Sequence, residues 1–325
     1  MKKLRFLLFF LLLPVLLCGC STGNSDSETE KSDISVIVKA LDSDFWHSVK
    51  KGVDSAATEY NASVSFEGPE NEEDFESQNV LIDNAVKRGT DAIVISAIDY
   101  EKNAEAVNRA AQSGVKIIAI DSGVNSPHVS MFIGTDNTES GRAAGKAAVQ
   151  HASGNERLCI GIVNSYKSTD NISKREKSFR EYISGIPNAE ITASVSTANS
   201  VASAEAGASA LLRENPQINV LAGFNEWTTL GVGNAISKLS AAGKVRGIGF
   251  DTNAVSVGML ETGEMDTLIV QNPFAIGYLG VKNAAELISG SSIKIADIYT
   301  AVTAVTRDNL FDSEIQKLVF SFEND

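Results

Sequence analysis

Cysteine is scarce in this chain of 325 residues: there are three, and two of them, Cys18 and Cys20, fall within the first twenty positions. Only Cys159 lies beyond, inside an apolar run. An internal disulfide framework is therefore excluded, and stability must come from the core. Histidine is equally rare. His47, His128 and His151 are scattered, and no His/Cys group has zinc-site spacing. The glycine fingerprint of a dinucleotide-binding turn is also missing: GIGFD (247–251) lacks the third glycine, LGVGNA sits within a helical pattern, and no GxxxxGK phosphate loop occurs. These absences argue against an enzyme. The acidic stretch ENEEDFE (70–76) lacks the regular oxygen spacing of a calcium loop and is expected to decorate a helix N-terminus. Excess positive charge is absent too, since the formal net charge is −13. Nucleic acid is not an expected partner for so acidic a chain, and no basic helix-turn-helix precedes residue 34.

What is present begins with MKKLRFLLFFLLLPVLLCGC, which has a basic start, an apolar stretch and a small-residue exit. It reads as an export signal; as a membrane anchor it is short and broken by proline. Its ending, LCGC, is similar to a bacterial lipobox, which is cut before a cysteine that then carries lipid. Residues 1–19 would be removed and Cys20 would anchor the chain outside the cytoplasm. Loss of three cations would take the mature charge to about −16. Residues 20–33 continue as a small, polar tether without enough apolar surface to fold.

From residue 34 onward one alternation repeats. Short runs rich in Ile, Val and Ala, such as ISVIVKAL (34–41), DAIVISA (91–97) and VKIIAID (115–121), are separated by longer segments with helical spacing. Near-continuous apolar strands between amphipathic helices predict a parallel sheet covered on both faces, a doubly wound α/β fold. Gly89, Gly114 and Gly243 mark helix exits, where a left-handed cap is required. A second round of the pattern starts at RLCIGIVN (157–164), so two similar lobes are expected: 34–135 with 272–297, and 136–271 with 298–325. In open α/β sheets ligands bind beyond the carboxyl ends of the strands. The candidates on that rule include Asp42 to Trp46, Ser96, Asp121, Asn164, Phe224 to Glu226, Asp251 and Gln271, although strand-end polar residues also serve as helix caps.

Six segments in order carry a resemblance: DFWHSVKKG (44–52), KIIAIDS (116–122), FIGTDNTESGRAAG (132–145), NEWTTLGVGNAI (225–236), GIGFD (247–251) and IVQNPFAIGYLGVKNA (269–284). From about 34 to 307 the chain resembles the ribose-type periplasmic sugar-binding proteins of bacterial ABC importers. The resemblance implies two lobes joined by three hinge crossings and closing on one small ligand, without a cofactor. It implies that Phe45 and Trp46 stack on the apolar face of a sugar ring while Asp121, Arg175, Asp251 and Gln271 hydrogen-bond its hydroxyls. Ser43, Ser96, Ser122, Asn199, Phe224 and Asn225 complete the expected ligand shell.

Several of these positions depart from the family's pattern. Ser122 stands where ribose binders carry arginine, Ser96 where they carry asparagine, and Asn199 near a missing aromatic, while Phe224 and Asn225 compete for one asparagine position. The departures point away from ribose itself and toward another sugar-like polyol. Trp227 is open between a third stacking ring and core packing, and His47 is expected to be solvated. The resemblance implies a monomer that delivers its ligand to the permease of an ABC importer; docking on a membrane histidine kinase or chemoreceptor is the alternative.

Overall fold

The computed structural model describes residues 31–150, 156–165, 169–291 and 296–319. The first round comprises β1 (Asp33–Ile37), α1 (Asp44–Glu59), β2 (Ser63–Glu67), α2 (Phe75–Arg88), β3 (Ala92–Ile95), α3 (Ala104–Gln112), β4 (Lys116–Ile120) and β5 (Val129–Thr135). The second runs through α4 (Asn137–Gln150), β6 (Leu158–Ser165), α5 (Asp170–Ser184), β7 (Ala189–Thr197), α6 (Val201–Glu214), β8 (Val220–Gly223), α7 (Glu226–Lys238), β9 (Arg246–Phe250), α8 (Ala254–Thr262) and β10 (Thr267–Val270). α9 (Pro273–Ile288), β11 (Ile298–Thr300), β12 (Thr303–Val305) and α10 (Ser313–Val319) follow.

These elements build two six-stranded sheets, ordered β11-β5-β4-β3-β1-β2 and β12-β10-β9-β8-β6-β7. The orders correspond strand for strand, so the lobes are two copies of one doubly wound plan. β3, β6, β8 and β10 are buried throughout, as strands covered on both faces must be. Alternating side chains feed two cores in each lobe. In the first, Val36, Val94 and Ile118 join Val49 and Val53 of α1 and Ile276 and Val281 of α9. Their neighbours Ile37, Ile93 and Ile117 face Ile82 of α2 and Val107 of α3 on the opposite side.

The chain crosses between sheets three times: after β5 into α4, after β10 into α9, and between β11 and β12. α9 returns to pack on α1 and across β3 and β4, whereas α4 packs on α5, β9 and β10. One boundary differs from the sequence reading, which gave all of 298–325 to the second lobe. Ile298–Thr300 pairs with β5 in the first sheet, and only from Thr303 does the chain pair with β10. The segment IYTAVTAVT looks like one alternating strand. Two extended residues, Ala301 and Val302, pass it from the edge of one sheet to the edge of the other.

Candidate functional site

The carboxyl ends of β1 and β4 in the first lobe face those of β8, β9 and β10 in the second, across a shared cavity. Ser43, the first residue beyond the acidic turn after β1, caps α1 by accepting the Trp46 amide N–H. That cap fixes the helix start and sets Phe45 and Trp46 on the cavity wall, edge to face at 4.9 Å between ring centroids. Trp46 is 1% exposed and belongs to the first-lobe core as well as to the cavity wall. The Lys39 ammonium lies 5.6 Å from the Trp46 ring centroid and makes a 2.9 Å ion pair with Asp121.

Asp121 and Asp251 occupy equivalent places, just past β4 and β9, and both are left-handed, with φ of 56° and 66°. Non-glycine residues persist in that region only where the surroundings hold them there. Burial pushes the Asp121 carboxyl up, but Lys39, Arg175 and the bond from Ser96 outweigh it and hold the carboxyl below its usual range. Burial also dominates at Asp251. There Arg175 and the Gln271 amide only partly offset it, so this carboxyl is raised. Gln271 donates to Asp251 Oδ1 at 2.6 Å and accepts from Thr135 Oγ1 at 2.7 Å. It thereby ties together two of the three crossings.

Arg175 lies in the second turn of α5. Its Nε donates to Asn137 Oδ1 at 2.8 Å, its Nη1 donates to the Phe224 carbonyl at 3.0 Å, and its guanidinium stacks 4.7 Å from the Phe250 ring centroid. Nη2 is buried on the cavity wall with no hydrogen-bond partner. A donor this deep without an acceptor is costly. Asn171, on the same helix, donates across the cleft to Asp121 Oδ1 at 3.0 Å.

Of the residues expected from the sequence, Ser43, Phe45, Trp46, Asp121, Arg175, Asn225, Asp251 and Gln271 line one cavity. Four others do not. Ser96 stands behind the wall and donates to Asp121 at 2.8 Å. Ser122 is buried off the lining with its hydroxyl unpartnered, because the tight turn at Asp121 sends successive side chains opposite ways. Phe224 packs its ring between Phe179 and Phe250, so it supplies only its carbonyl, and strand alternation turns Asn225 toward the cavity instead. Asn199 sits beside the cavity, where it accepts from Asn225 Nδ2 at 2.9 Å and is engaged by Glu72 and Glu73 of the opposite lobe. Asn225 both caps α7, in a box with Thr228, and faces the cavity. His47 is exposed beside Asp44. Cys20 lies outside the described residues.

The cavity is also lined by Lys39, Glu72, Asn171 and Ile172, which the sequence reading had passed over, by Trp227, which it had left open, and by Glu226, a strand-end candidate outside the expected ligand shell. A lysine inside ISVIVKAL was the legible signal among these, because a charge in a buried strand requires a partner. Glu72 was taken as helix decoration, a role that falls instead to Asp74, the N-cap of α2. Glu226 is 8% exposed, and burial raises its carboxyl to about 7; Asn253 donates to it at 2.9 Å, while Asp251 and Asp44 press in the same direction as burial. Among the described residues no group of three or more His, Cys, Asp or Glu could hold a metal ion.

Two α/β lobes closing on a polar cavity with aromatic walls define a hinged ligand-binding protein. The chain belongs to the periplasmic binding protein domain family, whose model matches residues 34–292. It is 25% identical over 296 residues to the D-ribose/D-allose-binding protein of Pseudomonas aeruginosa, covering 87% of this chain and 92% of that one. Its structure is similar to that of a carbohydrate transporter solute-binding protein from Agrobacterium radiobacter in complex with D-arabinose, with a TM-score of 0.86, 28% identity, and coverage of 90% and 100%. It is likewise similar to an ABC transporter solute-binding protein from Agrobacterium vitis with bound D-fucose, with a TM-score of 0.84, 29% identity, and coverage of 89% and 100%.

Proposed function

We propose that this protein captures a neutral sugar or sugar-like polyol between its lobes and delivers it to the permease of an ABC importer, acting as a binding protein and not an enzyme. The observation that carries this reading is the cavity wall. Phe45, Trp46 and Trp227 offer flat apolar faces beside Asp121, Arg175, Asp251 and Gln271, the combination suited to a ring with C–H faces and a hydroxyl rim. The acids at the cavity outnumber Lys39 and Arg175, which disfavours phosphorylated or acidic sugars. The relatives that bind ribose, allose, arabinose and fucose support the same class. Export and lipid attachment at Cys20 would hold the protein at the outer face of the cell membrane, beside the permease.

A thermal-shift screen against monosaccharides and polyols tests the reading, because a ligand that binds only the native state stabilises it by about 2.7 kcal/mol at a hundred times its Kd. At least one sugar should raise the melting temperature. Asp251→Ala should weaken its binding by roughly a hundredfold, as expected when a charged hydrogen-bond partner is lost from a dry cleft. Unchanged affinity in that variant, measured by calorimetry on folded protein, removes Asp251 from the site. Turnover of a bound sugar would overturn the binding-protein assignment.

A further inference from the structure

Glu72 stands just before α2 in the first lobe, and Asn199 follows β7 in the second. One carboxylate oxygen of Glu72 accepts the Trp46 indole N–H at 2.8 Å, and the other accepts from the Asn199 carboxamide at 2.9 Å. Glu73 takes the backbone N–H of Asn199 at 2.9 Å, and Asn199 Oδ1 accepts from Asn225 at 2.9 Å. A continuous line of hydrogen bonds therefore runs from the indole of one lobe to the N-cap of α7 in the other. Both of its links between the lobes end on a carboxylate.

We propose that Glu72, with Glu73 and Asn199, is a clasp that holds the lobes closed and couples that closure to the position of the Trp46 ring. The clasp rests on the reading of the cavity as a ligand site, but its mechanics do not depend on which ligand enters. Hydrogen bonds to an ionised acceptor are about twice as strong as neutral ones, so the two cross-lobe bonds bias the closed form. The indole is positioned by the same carboxylate. When the lobes part, Glu72 loses Asn199 and the ring loses the group that ties it to the second lobe; when they close, the ring is fixed as the second wall arrives. Glu72 and Asn199 are thus positioning residues, and they would set how long a ligand stays rather than which ligand is chosen.

The protein carries its own probe, since its two tryptophans, Trp46 and Trp227, both line the cavity. In the full chain with Trp227→Phe, Trp46 alone emits, and acrylamide quenching reports how well the closed lobes shield it. Asn199→Asp sets a carboxylate against Glu72 and Glu73 and is bonded to Glu72, not to the ring. It should raise the quenching constant about tenfold or more, the scale of losing a bond to a charged group. Glu72→Ala should do the same, Glu72→Gln should fall between, and the Glu72→Ala/Asn199→Ala pair should add nothing beyond either single change. Unchanged quenching in Asn199→Asp and Glu72→Gln, with melting curves like the parent's, overturns the clasp, as does a parent already quenched as fully as the variants. Repeating the measurement with saturating D-ribose, D-allose and D-arabinose separates the two proposals. Failure of every sugar to bind the protein that keeps Trp227, measured in parallel by calorimetry, counts against the functional reading, while the ligand-free quenching still decides the clasp.

Discussion

At the scale of single residues the cavity is a set of charges kept out of water in one another's company. Lys39 and Asp121 are 4% and 3% exposed, and their pairing dates the cost of both to the folded state. Lys39→Met should destabilise the protein by about 3–5 kcal/mol, because it strips a buried carboxylate of its nearest cation. Adding Asp121→Asn should recover most of that loss in urea denaturation, although ligand binding would not return. Glu226 predicts a pH dependence of definite sign. Its carboxyl titrates near 7 in the folded protein against an ordinary 4.5, so between these values the native state holds a proton that the unfolded chain has released. The stabilisation is complete below about 4.5 and fades as pH rises to about 7, with a slope of up to about 1.4 kcal/mol per unit. Denaturation midpoints of wild type and Glu226→Gln should be similar near pH 4.5 and separate as pH rises to about 7, wild type becoming the less stable. A constant difference would show that Glu226 is already ionised.

At the scale of elements, the helix that carries Arg175 is placed by its neighbour. A Cβ at Gly141 of α4 would stand 2.2 Å from the Arg175 carbonyl oxygen, so α4 and α5 touch backbone to backbone. Gly141→Ala should push the helices apart, lower stability by about 1–3 kcal/mol and shift Arg175 enough to weaken ligand binding further. Gly258→Ala in α8 is the control. Nothing lies within 4 Å of its Cβ, and it should stabilise the chain by about 0.5–1 kcal/mol with binding unchanged, as read by melting and calorimetry. The elements themselves were largely legible. Gly89 and Gly114 are left-handed at helix exits, as the sequence required, whereas Gly243 is left-handed in a turn beyond α7, whose own exit carries Ser240 at φ 51°. β11 and β12 were not, because strands of three residues carry too little alternation to reveal which sheet they join.

For the whole molecule, three crossings join two similar lobes, and Gln271 links Thr135 at the first crossing to Asp251. A ligand that contacts both lobes shifts the balance toward closure only by its preference for the closed form. The proposed anchor adds a prediction at this scale. Wild-type protein should sediment with membranes, and Cys20→Ala should leave the protein in the soluble fraction; a variant that still sediments would refute lipid attachment at that cysteine.

The amino-acid sequence by itself determined the alternation of strands and helices, the two-lobe plan and the strand-end positions from which Trp46, Asp121, Asp251 and Gln271 reach one cavity, to which the family resemblance added Arg175 on a helix. Those features rest on local periodicity and on short motifs whose residues lie close together in the chain. Only the tertiary structure decided that Lys39 answers Asp121, that Asn171 and Glu72 span the lobes, and that Phe224 and Ser122 turn into the interior. Each of these depends on groups brought together from distant parts of the chain, or on the sense of a single tight turn, and neither leaves a periodic trace for a linear reading to find.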